Sequence, residues 1–133
     1  MSPTTPDAPI FAVDHPAYVA TEGTRIEVPW GLIRFFTGKG ARPSETTVGL
    51  CQVRPGAAMP VHYHPNCEET IHILSGRCAH MYGQDTVDLG PGQTLLIPRY
   101  VVHRATAVGP DPLEFLIVFS SGEREAVFLE EPA

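Results

Sequence analysis

The chain has 133 residues, 43% of them apolar, and a formal net charge of −6, which suits one compact core and leaves little for a second. The acidic balance and scattered basic residues speak against a nucleic-acid or anionic-membrane partner, since both need clustered Lys and Arg. No apolar run reaches the roughly 18 residues of a membrane span.

In chain order, residues 1–9 carry three prolines and little to bury. They are expected to form a flexible N-terminal arm, ordered by contact with another subunit. Residues 10–133 are expected to form a single β-barrel domain that closes on a solvated EEPA end. The opening MSPTTPDAPIF lacks the basic start and apolar centre of a secretory signal. The three cysteines, Cys51, Cys67 and Cys78, are odd in number and unpaired in spacing, so a cytoplasmic location is expected.

Gly 12 and Pro 14 make up about a fifth of the chain, and they break it into short apolar or alternating runs. The predicted strands are Thr24–Val28, Leu32–Thr37, Thr46–Arg54, Glu69–Leu74, Arg77–Tyr82, Thr86–Leu89, Thr94–Ile97, Val101–Ala107 and Leu113–Ser120. Turn signals TGKG, RPGAAMP, SG, YGQD, GPG and VGPDP lie between them. No helix-length window has a 3.6-residue apolar stripe. Short strands at regular spacing predict an all-β fold, a closed or sandwiched antiparallel sheet. The run LEFLIVF at 113–119 is too apolar for simple alternation; it is read as buried on both faces or lying across a subunit contact.

The segment from Gly56 to Gly76 carries the chemistry. On an extended strand His62 and His64 point the same way, about 7 Å apart, and can converge on one ion. Pro65 and Asn66 signal a turn, after which Glu69 opens a strand that could return beside the first. Its carboxylate adds a hard oxygen to two borderline nitrogens. Later, His103 could supply a fourth ligand from an opposing strand.

These segments resemble the two signature motifs of the cupin superfamily. The first is matched at each fixed position by Gly56, His62, His64, Glu69 and Gly76. The second is matched by Gly92, Pro98 and His103, with Tyr100 where a glycine is usual and Ala107 where an asparagine is usual. The resemblance implies a cupin-type jelly-roll barrel and a metal site of His62, His64, Glu69 and His103. Counting back from Gly76 selects Glu69 over Glu68. Tyr100 requires either a turn rebuilt at negative φ or packing that holds it.

The other residues have plainer readings. His72 alternates away from Glu69 and is taken as structural or interfacial; His80 sits in the strand of a hairpin, Arg77–Tyr82 with Thr86–Leu89, and has no spacing argument for a ligand; His15 is taken as a surface residue. Cys67 lies near the site but is read as a small buried or loop residue, with Cys51 and Cys78 in the core. Trp30, Phe35, Phe36, Phe115 and Phe119 are core residues, some lining the pocket mouth. Arg34, Arg54 and Arg99 are weighed as carboxylate binders against solvated surface positions.

Three imidazoles and one carboxylate leave an ion with open positions, unlike a closed structural zinc site. The resemblance therefore implies a metal-dependent protein, an enzyme of dioxygenase, isomerase or lyase type acting on a small oxygenated organic molecule. The alternative is a non-catalytic, metal-assisted binder of a small ligand. The cofactor is one divalent ion per chain, and Fe, Mn, Ni, Cu and Zn all suit the donors. The expected partners are a small-molecule ligand and a second copy in a homodimer.

Overall fold

The computed structural model describes residues 8–130. The arm expected at 1–9 lies outside the described residues as far as residue 7, as does the last part of EEPA, 131–133. Residues 8–23 form no strand and are mostly exposed.

Eleven strands follow: β1 Thr24–Val28, β2 Gly31–Thr37, β3 Thr47–Val53, β4 His62–Tyr63, β5 Glu69–Ser75, β6 Arg77–Tyr82, β7 Asp85–Leu89, β8 Thr94–Ile97, β9 His103–Val108, β10 Leu113–Phe119 and β11 Val127–Phe128. They form two antiparallel sheets, of six strands in the order β1-β2-β3-β10-β5-β8 and of five in the order β11-β4-β9-β6-β7. This is the all-β jelly-roll architecture the strand pattern predicts. The two-residue strands β4 and β11 were not among the predicted ones. Each is too short to show a period, and Pro60 and Pro65 flank the first.

The sheets bury their facing sides. The six-stranded sheet supplies most of the bulk, including Phe35, Ile71, Ile73, Ile97, Leu113, Phe115 and Ile117. The five-stranded sheet opposes it with the smaller Cys78, Ala105 and Ala107. Large residues against small ones keep the interior dense where the sheets meet. Ala107, where asparagine is usual, is itself core, its amide and carbonyl bonded to Ala57 and Gly56.

The LEFLIVF strand corrects one expectation. It lies mid-sheet and alternates: Leu113, Phe115, Ile117 and Phe119 are buried, whereas Val118 is 39% exposed. Two of its outward residues, Leu116 and Val118, are apolar too, which is why the composition alone suggested two buried faces.

Motif glycines mark sharp corners. Gly76 has φ +82°, and a Cβ there would sit 2.3 Å from the Pro112 carbonyl oxygen, so only glycine fits between β5 and β6. Tyr100 keeps the left-handed conformation of the glycine it replaces, at φ +67°. The turn is therefore not rebuilt at negative φ. The Tyr100 amide donates to the His64 carbonyl at 3.1 Å, and its ring lies 6.0 Å from that of Tyr63, but the side chain is 65% exposed. Left-handed backbone costs an L-residue about 1–2 kcal/mol, more than the roughly 0.5–1 kcal/mol of entropy a glycine loses. Tyr100→Gly is thus expected to raise the melting temperature by a few degrees; a lower one would show that the contact with Tyr63 outweighs the backbone strain.

Candidate metal centre

The loop at 54–61 delivers the first two histidines. It runs beside β9, with the Met59 amide donating to Ala105 and the Ala107 amide to Ala57. His62 then pairs directly with His103 across β4 and β9. Two spatial expectations are corrected here. His103 stands beside His62 in the same sheet, not on an opposing strand. Glu69 does not return beside them, because β5 pairs with β10 and β8 in the other sheet. The segment Pro65–Glu68 carries the chain across, and Pro65 has no amide with which to continue the first ladder. Glu69 faces inward and is buried, while Glu68 is exposed.

All four side chains are 6% exposed or less, and one donor atom from each lies within 4.8 Å of the others. The Nδ1 atoms of His62, His64 and His103 meet the backbone carbonyls of Pro60 (2.7 Å), Glu125 (2.8 Å) and Val101 (2.8 Å). A carbonyl only accepts, so each Nδ1 carries a proton and donates it. That fixes the tautomer and leaves each Nε2 as the nitrogen free to bind an ion.

Glu69 Oε1 lies 3.1 Å from His103 Nε2 and 3.2 Å from His64 Nε2. The second contact is short but lacks hydrogen-bond geometry, and His64 Nε2 is buried without a hydrogen-bond partner. Burial pushes the Glu69 carboxyl up, but the close-set His103 and His64 rings outweigh it and bring it down to about 2. Burial, then the charge of His103, lowers His62 to about 4. At neutral pH the cluster therefore offers an ionised carboxylate and a neutral His62. Three nitrogens gathered around one carboxylate could hold a metal ion, and this donor set fits a divalent first-row ion.

Beside the cluster opens a cavity of about 690 Å³. Trp30, Ile33, Phe35, Met59, Phe119 and Phe128 line it, with His62, His64 and Glu69 at one side. The core reading holds for Trp30, Phe35, Phe115 and Phe119; Phe36 is only partly buried.

His80 was undervalued. It is 2% exposed, its ring stacks on His103 with centroids 5.7 Å apart, and its Nδ1 is buried without a partner. Burial, then the His103 charge, lowers it to about 4. The only signal was its parity with Cys78 on a strand of unknown facing. His72 points outward and meets Thr94 Oγ1 at 2.8 Å, and His15 is exposed. Cys51, Cys67 and Cys78 are buried and free, and burial raises each thiol above its ordinary range.

None of the weighed arginines lines this cavity. Arg34 pairs with Glu22 at 3.6 Å, and Arg54 and Arg99 are exposed. The arginine that does is Arg124, which sits in a charged GEREA stretch that reads as solvated loop.

A family model described as "Cupin domain" matches residues 49–119. Among curated proteins, germin-like protein 3-8 of Oryza sativa subsp. japonica is 28% identical over 90 residues, covering 64% of this chain and 40% of that protein. Polyketide synthase CurC of Streptomyces cyaneus is 36% identical over 64 residues, covering 48% of this chain and 42% of that protein. The chain thus spans less than half the length of either relative. A solved structure of Bacillus subtilis oxalate decarboxylase, a protein with Mn(II) centres, superposes with a TM-score of 0.73 at 24% identity, over 81% of this chain and 30% of that one. That likeness shows the fold.

Proposed function

The chain belongs to the cupin family, and from that premise we propose that it is a metal-dependent enzyme acting on a small oxygenated organic molecule. His62, His64, Glu69 and His103 would hold one divalent ion per chain. The observation that supports this most is the pinning of all three Nδ1 atoms, which presents three Nε2 atoms and one carboxylate to one point at the edge of an apolar cavity. A bound ion would supply Lewis acidity, a lowered pKa of water or, if iron, oxygen chemistry.

The chain's own residues do the rest. The carbonyls of Pro60, Val101 and Glu125 hold the ligand rings, and the aromatic walls exclude water and orient an apolar body. A relative named as a polyketide synthase is in keeping with an oxygenated substrate. Dioxygenase, isomerase and lyase chemistry all remain open to such a site.

One observation favours a second reading, a metal-assisted small-ligand binder. Among the described residues the cavity wall holds no Asp, Lys or Tyr and no carboxylate besides Glu69, which leaves the chemistry to the ion. Elemental analysis of protein from its native host, then oxygen uptake with 1,3-dicarbonyls, catechols and thiols, separates the readings. Turnover with iron supports a dioxygenase; binding without turnover supports the binder; absence of any ion sinks both.

Residues 10–133 are read as one domain. No described helix is long and apolar enough to cross a membrane. A homodimer fits the exposed apolar Phe11, Val19, Leu96 and Val118, and light scattering should return twice the 14.5 kDa chain mass; a mass near one chain refutes it.

A further inference from the structure

Arg124 is held in the cavity wall, where the Glu69 carboxylate acts on it electrostatically without forming an ion pair. Its guanidinium carbon lies 3.9 Å from the centre of the Phe35 ring and 5.5 Å from that of Phe119. Among the described residues no carboxylate is within ion-pair distance of it. Its Nη1 is buried and makes no hydrogen bond. Burial lowers its affinity for a proton, yet a guanidinium stays charged in proteins.

The backbone around it is fixed. Asn66 Nδ2 donates to the Glu123 carbonyl and Asn66 Oδ1 accepts from the Glu125 amide, both at 2.9 Å. The Glu125 carbonyl also takes the Nδ1–H of His64 at 2.8 Å. Arg124 is thus bracketed by two residues tied to the histidine turn. A long surface side chain with no partner would turn its charged head to water; this one, half-buried, keeps its Nη1 shielded instead. A guanidinium packed on an aromatic face keeps its in-plane N–H groups free, and those match a carboxylate.

We propose that Arg124 is the anchor for a ligand carboxylate. The ligand class is a monocarboxylic acid with a flat apolar body, for which Trp30, Phe35, Met59 and Phe128 form the walls. This deepens the metal-dependent reading and in part rests on it: a second oxygen of the same ligand would face His62, His64, Glu69 and His103. With one guanidinium, and a net positive charge on the loaded cluster, the cavity selects an anion over its neutral analogue. Cys51 and Cys67, whose charges Arg124 would otherwise meet, have raised pKa values and stay neutral.

The test is calorimetric titration of the metal-loaded protein with cinnamate and with cinnamamide, near-isosteres in which a neutral amide replaces the carboxylate. Cinnamate should bind roughly 10- to 100-fold more tightly than the amide, the range for a hydrogen bond to a charged group. Arg124→Gln should erase that ratio, and Arg124→Lys should keep part of it. Equal binding of acid and amide by the wild type, no binding of cinnamate, or an unchanged ratio in Arg124→Gln overturns the proposal. If Arg124→Gln does not fold, the Lys variant decides, and a full ratio there counts against a guanidinium anchor. Repeating the titration after chelation separates the two readings. An Arg124-dependent preference for the acid that survives in a chain shown by elemental analysis never to hold an ion upholds the anchor and removes the metal reading.

Discussion

Glu69→Gln is expected to give a folded protein that no longer retains a divalent ion. The change is nearly isosteric and removes the one anionic donor among the four. Losing an outer-shell partner alone costs metal affinity about 10- to 100-fold, so losing a charged ligand should cost more than about 100-fold. Stability reports the same event. An ion present at about 1,000 times its Kd adds about 4 kcal/mol to the folded state. Wild-type protein treated with chelator should therefore melt well below the loaded form, whereas Glu69→Gln should melt at one temperature with or without chelator. A wild type indifferent to chelator, or a variant with wild-type metal content, would remove the metal centre.

The chelated protein should lose stability steeply as pH falls from about 6.5 to about 4. His62 and His80 are buried in their neutral forms, each lowered from 6.5 to about 4. In the unfolded chain both take up protons near 6.5; in the folded chain they resist until about 4. Between those values the unfolded state binds more protons, so stability rises with pH and falls with acidification. Each such shift is worth about 3 kcal/mol in full, and about 2 kcal/mol by roughly pH 5. Glu69 extends the loss: its folded value of about 2 lies below the ordinary 4.5, so its contribution is present above 4.5 and disappears as pH falls to about 2. Urea titrations at neutral pH and near pH 5 measure the effect. His80→Gln should remove roughly half of the histidine slope, and a flat profile would show that these imidazoles are not buried neutral.

Much of this was legible without coordinates. The strand at Arg77–Tyr82 and its hairpin with β7 follow from local alternation and the Gly83 turn, and both were predicted. The His62-x-His64 pair shares a face because the strand period is two. These features depend on residues a few positions apart, and neighbouring residues carry the information.

Other features were not local. Glu69 was predicted to return beside His62 but crosses to the other sheet. His80 had no spacing argument and Arg124 was not singled out, yet one stacks on His103 and the other packs against Phe35. By itself, then, the sequence determined the all-β class and most strand positions, because periodicity and turn chemistry act over short stretches, while its motif resemblance picked out the four donors. Only the tertiary structure decided which sheet each donor comes from, what lines the cavity and which arginine enters it. Those depend on contacts between residues as far apart as His64 and Glu125, and a side chain's surroundings there are set by the packing of two sheets rather than by its neighbours in the chain.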